Sequence, residues 1–234
     1  MNIEIWSDIA CPFCYIGKRE FEKALQQFSE KEEVKVEWKS YQLSPDMITD
    51  PTANSYETLA AHKGISVAQA RQMYESVAER ARGTGLHFQS DKIVPANTLK
   101  AHCFSHFAKT QGKQNEAEEL LFRSYFIDGK NIDDESVLAE LAVELNLNAE
   151  AFKRALEKNL YTEAVRSDIY EAFQLGVRGV PFFVFDRKYA VSGAQSSRIF
   201  LQTLTQSFNE WKGNKGESLK VQAGETCDIN GNCN

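Results

Sequence analysis

Residues 3 to 17 read Ile-Glu-Ile-Trp-Ser-Asp-Ile-Ala-Cys-Pro-Phe-Cys-Tyr-Ile-Gly, and this stretch restricts the fold more than any other. Ile3, Ile5 and Ile9 mark an apolar, strand-like run that leads into Cys11-Pro12-Phe13-Cys14. A helical pattern follows at once, with Cys14, Phe21, Leu25 and Phe28 on one face. The Cys-x-x-Cys pair therefore sits where a strand hands over to a helix. Cys11 then falls at a helix N-terminus, where unpaired backbone N–H groups and the macrodipole favour an anion. The thiolate is the reactive form of cysteine. Pro12 suits the first helical turn, because its missing N–H costs little there. Cys14, one turn in, is placed to attack a mixed disulfide formed at Cys11. The same spacing also occurs as half a zinc site or as two buried thiols, but a zinc knuckle usually sits in a tight turn with a second matching pair. Strand, Cys-Pro-x-Cys, helix is the redox arrangement.

The rest of the chain is read around that junction. Val34 to Ser40 alternates as a strand with Val34, Val36 and Trp38 inward, which completes a βαβ unit. Tyr41 to Thr52 reads as loop. From about Ser55 to Gln174 the pattern is helical, with Asp or Asn starts and Gly stops. The segment His87 to Ile93 reads as extended. Asn97 is placed to cap a helix carrying His102, Cys103 and His106. Strand signals return at Phe182 to Phe185 and Tyr189 to Val191, close enough to form a hairpin. A last helix runs from Ser196 or Ser197 to about Trp211. The two β-containing pieces must join into one sheet across the helical block. The expected organisation is a split α/β domain of residues 1–53 and 176–211, an all-helical insertion of 54–175, and a flexible tail of 212–234.

Composition narrows the function classes. The chain of 234 residues carries 33 acidic and 27 basic residues, a formal charge of −6, mixed along its length. No basic block points to nucleic acid, and no apolar run approaches a membrane span. Met1 leads directly into the first strand without a signal-peptide pattern, so the expected location is the cytoplasm. Five cysteines in such a chain argue against a disulfide scaffold and for specific thiol use.

Together, Ser-Asp-x-x-Cys-Pro-Phe-Cys-Tyr-Ile-Gly, Pro95-Ala96-Asn97-Thr98, Ala101-His102 and Gly176-Val-Arg-Gly-Val-Pro181 resemble the FrnE-like branch of the DsbA family over about residues 1 to 210. The resemblance implies a thioredoxin fold interrupted by a helical insertion, and dithiol–disulfide oxidoreductase or isomerase activity. It makes Cys11 the nucleophile and Cys14 the resolving thiol. It implies that Pro181 is cis and faces them, and that Pro12, Phe13, Val180 and Pro181 shape the substrate-contact surface. The expected partners are thiol- or disulfide-containing proteins, with glutathione as a substrate or redox partner. No organic cofactor and no metal is implied. Strongly oxidising DsbA proteins carry His where Phe13 stands, so a less oxidising disulfide is expected here. Related proteins in the superfamily, 2-hydroxychromene-2-carboxylate isomerase and kappa-class glutathione transferases, leave a glutathione-dependent isomerase or transferase as one alternative. A redox-sensitive adaptor protein is another.

Other candidates carry weaker signals. Cys227 and Cys233 flank an Asn230-Gly231 turn and read as an auxiliary redox pair, a local disulfide or two idle thiols. His102 and His106 lack the Glu of a His-Glu-x-x-His zinc site and read as a core or surface pair. Cys103 reads as a small buried hydrophobe. Asp8 reads as a loop residue, with proton acceptance near Cys14 as its other role.

Overall fold

The structure, a computed structural model, describes residues 1–213 and 220–222. Strand β1 (Asn2–Ser7) leads through the cysteine loop into helix α1 (Pro12–Gln27) and on to β2 (Lys35–Ser40). Helices α2 (Ser55–Lys63), α3 (Val67–Arg82), α4 (Leu99–Thr110), α5 (Gln114–Phe126), α6 (Glu135–Glu144), α7 (Ala149–Glu157) and α8 (Thr162–Gln174) follow. The chain then re-enters the sheet as β3 (Phe182–Phe185) and β4 (Tyr189–Ser192), and continues through α9 (Ser197–Gly213) to β5 (Lys220–Gln222). The sheet order is β2-β1-β3-β4-β5. β1 runs parallel to β2 and antiparallel to β3, which forms an antiparallel hairpin with β4. This is a thioredoxin-like α/β fold with α2 to α8 inserted between β2 and β3.

The local physics explains most element boundaries. Ser66 and Gln69 form a reciprocal capping box at the start of α3. Asn54, Asp134 and Asn148 cap α2, α6 and α7 through side-chain acceptors. β1 is central and buried on both faces, so Trp6 is as inaccessible as Ile3 and Ile5; simple alternation describes it poorly. Phe21, Phe183, Phe185 and Phe200 pack as a ring cluster between α1, β3 and α9. One continuous apolar core runs from this cluster into the insertion through Phe104, Phe122 and Phe152.

Two expectations change. The segment His87 to Ile93, expected to be extended, holds a turn, closed by the Lys92 N–H on the Gln89 carbonyl at 2.9 Å. Within the stretch expected to be a flexible tail, Lys220–Gln222 instead adds β5, parallel to β4. Cys227 and Cys233 lie outside the described residues. Among the described residues no helix is long and apolar enough to cross a membrane.

Candidate active site

Cys11 occupies the N-cap of α1 in extended conformation, and Pro12 opens the helix. Its N–H bonds the Asp8 carbonyl at 3.0 Å, and its own carbonyl accepts from the Cys14 N–H at 3.0 Å. These two bonds hold the Cys-Pro-Phe-Cys segment as a tight entry to the helix. Cys11 and Cys14 are both free thiols with 0% exposure. Burial pushes the Cys14 thiol well above its ordinary pKa, and contact with Cys11 adds to the rise; the Ser7 hydroxyl and the Asp8 backbone work in the opposite direction. Cys14 is therefore held as a thiol at neutral pH.

The far end of the chain closes the site. The Cys11 Sγ donates to the Val180 carbonyl at 3.6 Å across 169 residues. The Val180–Pro181 bond is cis, as the resemblance implied. Pro181 packs on α1 at Gly17, where an added Cβ would lie 3.1 Å from the Pro181 Cγ and 3.4 Å from the Phe183 Cζ. A glycine at this position lets the helix and the Pro181 loop meet. The structure thus brings Cys11, Pro12, Phe13, Cys14, Val180 and Pro181 to one place.

Several contacts at the site escaped sequence reasoning. Asp8 is a loop residue, as read, but a buried one, 1% exposed. Its carboxylate accepts from the Leu43 N–H at 2.7 Å and the Ala10 N–H at 3.3 Å. His102, 2% exposed, approaches the same carboxylate through Nε2 at 3.5 Å and the Tyr41 carbonyl at 3.0 Å. Both neighbours are acceptors, so Nε2 carries a proton. Burial opposes the imidazolium, yet the hydrogen bond and charge of Asp8, with Glu118 and the Tyr41 carbonyl, outweigh it and raise the His102 pKa. Asp8 and His102 therefore tie the cysteine loop, the chain after β2, and α4 together. Asn97 extends this wiring: its Nδ2 donates to the Pro45 and Met47 carbonyls at 3.0 Å each, and its Oδ1 accepts from the Leu99 N–H at 2.9 Å. The recurrence of Asp8, Asn97 and His102 in the quoted motifs was the available signal. His106 is also a core residue, bonded to Asp168 at 3.0 Å and Ser40 at 3.1 Å.

Ser7 opens the first of those motifs, whereas Arg80 lies in none of them. The Ser7 hydroxyl is buried beside Cys14, where it favours the thiolate. Arg80 of α3 places its guanidinium 5.4 Å from the Phe13 ring centroid and donates to the Ala194 carbonyl at 2.6 Å. The cation that Phe13 itself does not bring is thus supplied next to it by the insertion. Beside the cysteine loop lies a cavity of about 630 Å³, walled by Ala10, Pro12 and Phe13 on one side and by α2 and α3 on the other.

Fold and site together define a thioredoxin-fold protein with a buried dithiol at a helix N-terminus. Residues 2–205 match the DSBA-like thioredoxin domain family, and the chain belongs to that family. It is similar to the uncharacterized protein YwbO of Bacillus subtilis, at 28% identity over 208 residues, spanning 88% of this chain and 96% of that one. It is also similar to a solved structure, the probable DsbA oxidoreductase SCO1869 from Streptomyces coelicolor. That likeness has 38% identity and a TM-score of 0.84, and covers 100% of this chain and 98% of that one. A 2-hydroxychromene-2-carboxylate isomerase shares the fold at 17% identity and a TM-score of 0.66, with 91% and 98% covered.

Proposed function

We propose that this protein is a dithiol–disulfide oxidoreductase of the FrnE-like branch, working through Cys11 and Cys14. The observation that supports it most is the pairing of an N-cap Cys11, its sulfur on the Val180 carbonyl at 3.6 Å, with a buried Cys14 held protonated one turn in. In this reading the Cys11 thiolate attacks a substrate disulfide and forms a mixed disulfide, releasing one substrate thiolate. Cys14 then loses its proton and attacks the Cys11 sulfur. The second substrate thiolate leaves, and the dithiol has given up two electrons. Val180 and Pro181 form the contact surface beside the sulfur. Protein disulfides and glutathione mixed disulfides are the substrate classes, and a cytosolic setting with glutathione as the reductant fits the reaction.

The test is to equilibrate the protein in glutathione redox buffers, alkylate free thiols and map them by mass spectrometry. The expected result is a single Cys11–Cys14 couple with a potential between about −270 and −120 mV. If Cys11 collects glutathione and never closes onto Cys14, dithiol exchange is refuted, and glutathione-dependent isomerase or transferase chemistry takes its place.

A further inference from the structure

We infer that the cavity beside the cysteine loop binds the body of the substrate, and that the preferred substrate is a low-molecular-weight disulfide of an aromatic or branched aliphatic thiol whose far end is neutral or anionic. This rests on the dithiol-exchange reading above and names the substrate class for it.

Three observations carry the inference. First, Cys11 exposes no surface, yet Ala10 and Pro12 on either side of it line the cavity. A small molecule held in the cavity therefore lies against the cysteine loop on both sides of Cys11. Second, about 630 Å³ lies within the range of small-molecule sites. Third, the lining selects by polarity and charge. The walls are mainly apolar, with rings and thioethers (Phe13, Met47, Met73, Tyr74, Phe126) among aliphatic and a few neutral polar side chains, and no acidic side chain is among the lining residues, in a chain with 33 of them. Burial pushes Tyr74 up to about 12 and Tyr125 well above its usual value, so both stay neutral. The basic groups of the lining are His62 and Lys63 at the end of α2.

The reaction balances without a further component. Cys11 as thiolate attacks one sulfur of the disulfide, forming Cys11–S–S–R and releasing the first thiolate. Cys14 gives its proton to solvent and attacks the Cys11 sulfur, breaking that bond and releasing the second thiolate. The enzyme ends as the Cys11–Cys14 disulfide. One substrate disulfide has become two thiolates.

The experiment is a single-turnover measurement with the full-length reduced protein. The probes are dithiobis(nitrobenzoate), bis(hydroxyethyl) disulfide and insulin. Each rate is divided by the rate of the same disulfide with dithiothreitol, which removes intrinsic reactivity. The expected result is a saturable reaction with the aromatic probe, normalised to at least about tenfold above the hydroxyethyl probe and above insulin, the scale that burying one ring gives. Val77→Phe on α3 and Leu59→Phe on α2 fill the cavity from two walls, and either one should bring that ratio towards one. A wild-type ratio near one, insulin as the fastest substrate, or a ratio unmoved in a variant with native circular dichroism would overturn the inference. Calorimetry of nitrobenzoate with Cys11→Ser reads the cavity without redox chemistry. Binding there, with no oxidation of Cys11–Cys14 by any probe, would remove the oxidoreductase reading and leave the cavity as a ligand site. No binding would remove the cavity site.

Discussion

Replacing Asp8 by Asn tests the wiring around the cysteines most directly. The side chain keeps its shape but loses its charge and one of its two acceptor oxygens. In the wild type those oxygens serve the Leu43 N–H at 2.7 Å, the Ala10 N–H at 3.3 Å and the His102 Nε2 at 3.5 Å. Whichever way the new amide turns, its NH₂ faces a backbone or ring N–H. One charge-assisted bond worth about 1.5–3 kcal/mol is lost, and a buried donor is left unpaired at about 1–3 kcal/mol. With Asp8 and His102 both inside the protein, a loss of about 3–5 kcal/mol is expected, as for other broken buried pairs. The loss should depend on pH. The His102 pKa is raised by its partners, so its contribution is fully present below about 6.5, the unfolded value, and fades as pH rises through the folded value. The deficit of Asp8→Asn is therefore largest near pH 6 and smaller in alkali. Urea unfolding at several pH values measures it, and at about 3 kcal/mol per molar urea the midpoint should fall by at least about 1 M near pH 6. A deficit under about 1 kcal/mol, or one that does not change with pH, would refute the assignment of Asp8 and His102 as a coupled pair.

Further outcomes follow from other contacts. Burial works against the Glu119 carboxylate, but Arg19, Lys18 and Tyr15 pull its pKa down to about 2. The side chain is one-third exposed, so after allowing for solvent screening Glu119→Gln should cost about 1–2 kcal/mol at neutral pH. That cost is present above about pH 4.3 and disappears as pH falls through about 2, which acid titration of both proteins followed by circular dichroism will show. Ser7→Ala removes the buried hydroxyl that favours the Cys14 thiolate and should slow the resolving step about tenfold, seen as mixed disulfide accumulating in quenched-flow samples. Gly17→Ala pushes a Cβ to 3.1 Å from the Pro181 Cγ and should cost about 1–3 kcal/mol by overpacking, measured as a lower Tm.

What the sequence made legible was local. The cysteine junction, the β3–β4 hairpin and the limits of α3 rest on residues within a few positions of one another, such as Ser66 with Gln69. The clamping of Asp8 was not legible because its partners Leu43 and His102 lie far along the chain, and a lone carboxylate in a polar loop looks the same whether it is solvated or clamped. Arg80 reads as one more charge on an amphipathic helix until α3 is laid over Phe13. β5 was unreadable for a different reason: its pairing with β4 is formed by backbone groups that every residue has. His87 to Ile93 misled in the reverse direction, since its turn is closed by a backbone bond from the Lys92 N–H to the Gln89 carbonyl that no side chain announces.

The split sheet has a consequence for how the protein is made. β1 lies between β2 and β3, but only β2 follows it closely. Roughly 140 residues intervene before β3, so at about 5–20 residues per second a ribosome needs roughly 7–30 s to supply it. Until that strand is made, the nascent chain carries Cys11 and Cys14 without the Val180 carbonyl that later faces the Cys11 sulfur. The active-site face on the Pro181 side is therefore the last part of the site to be built.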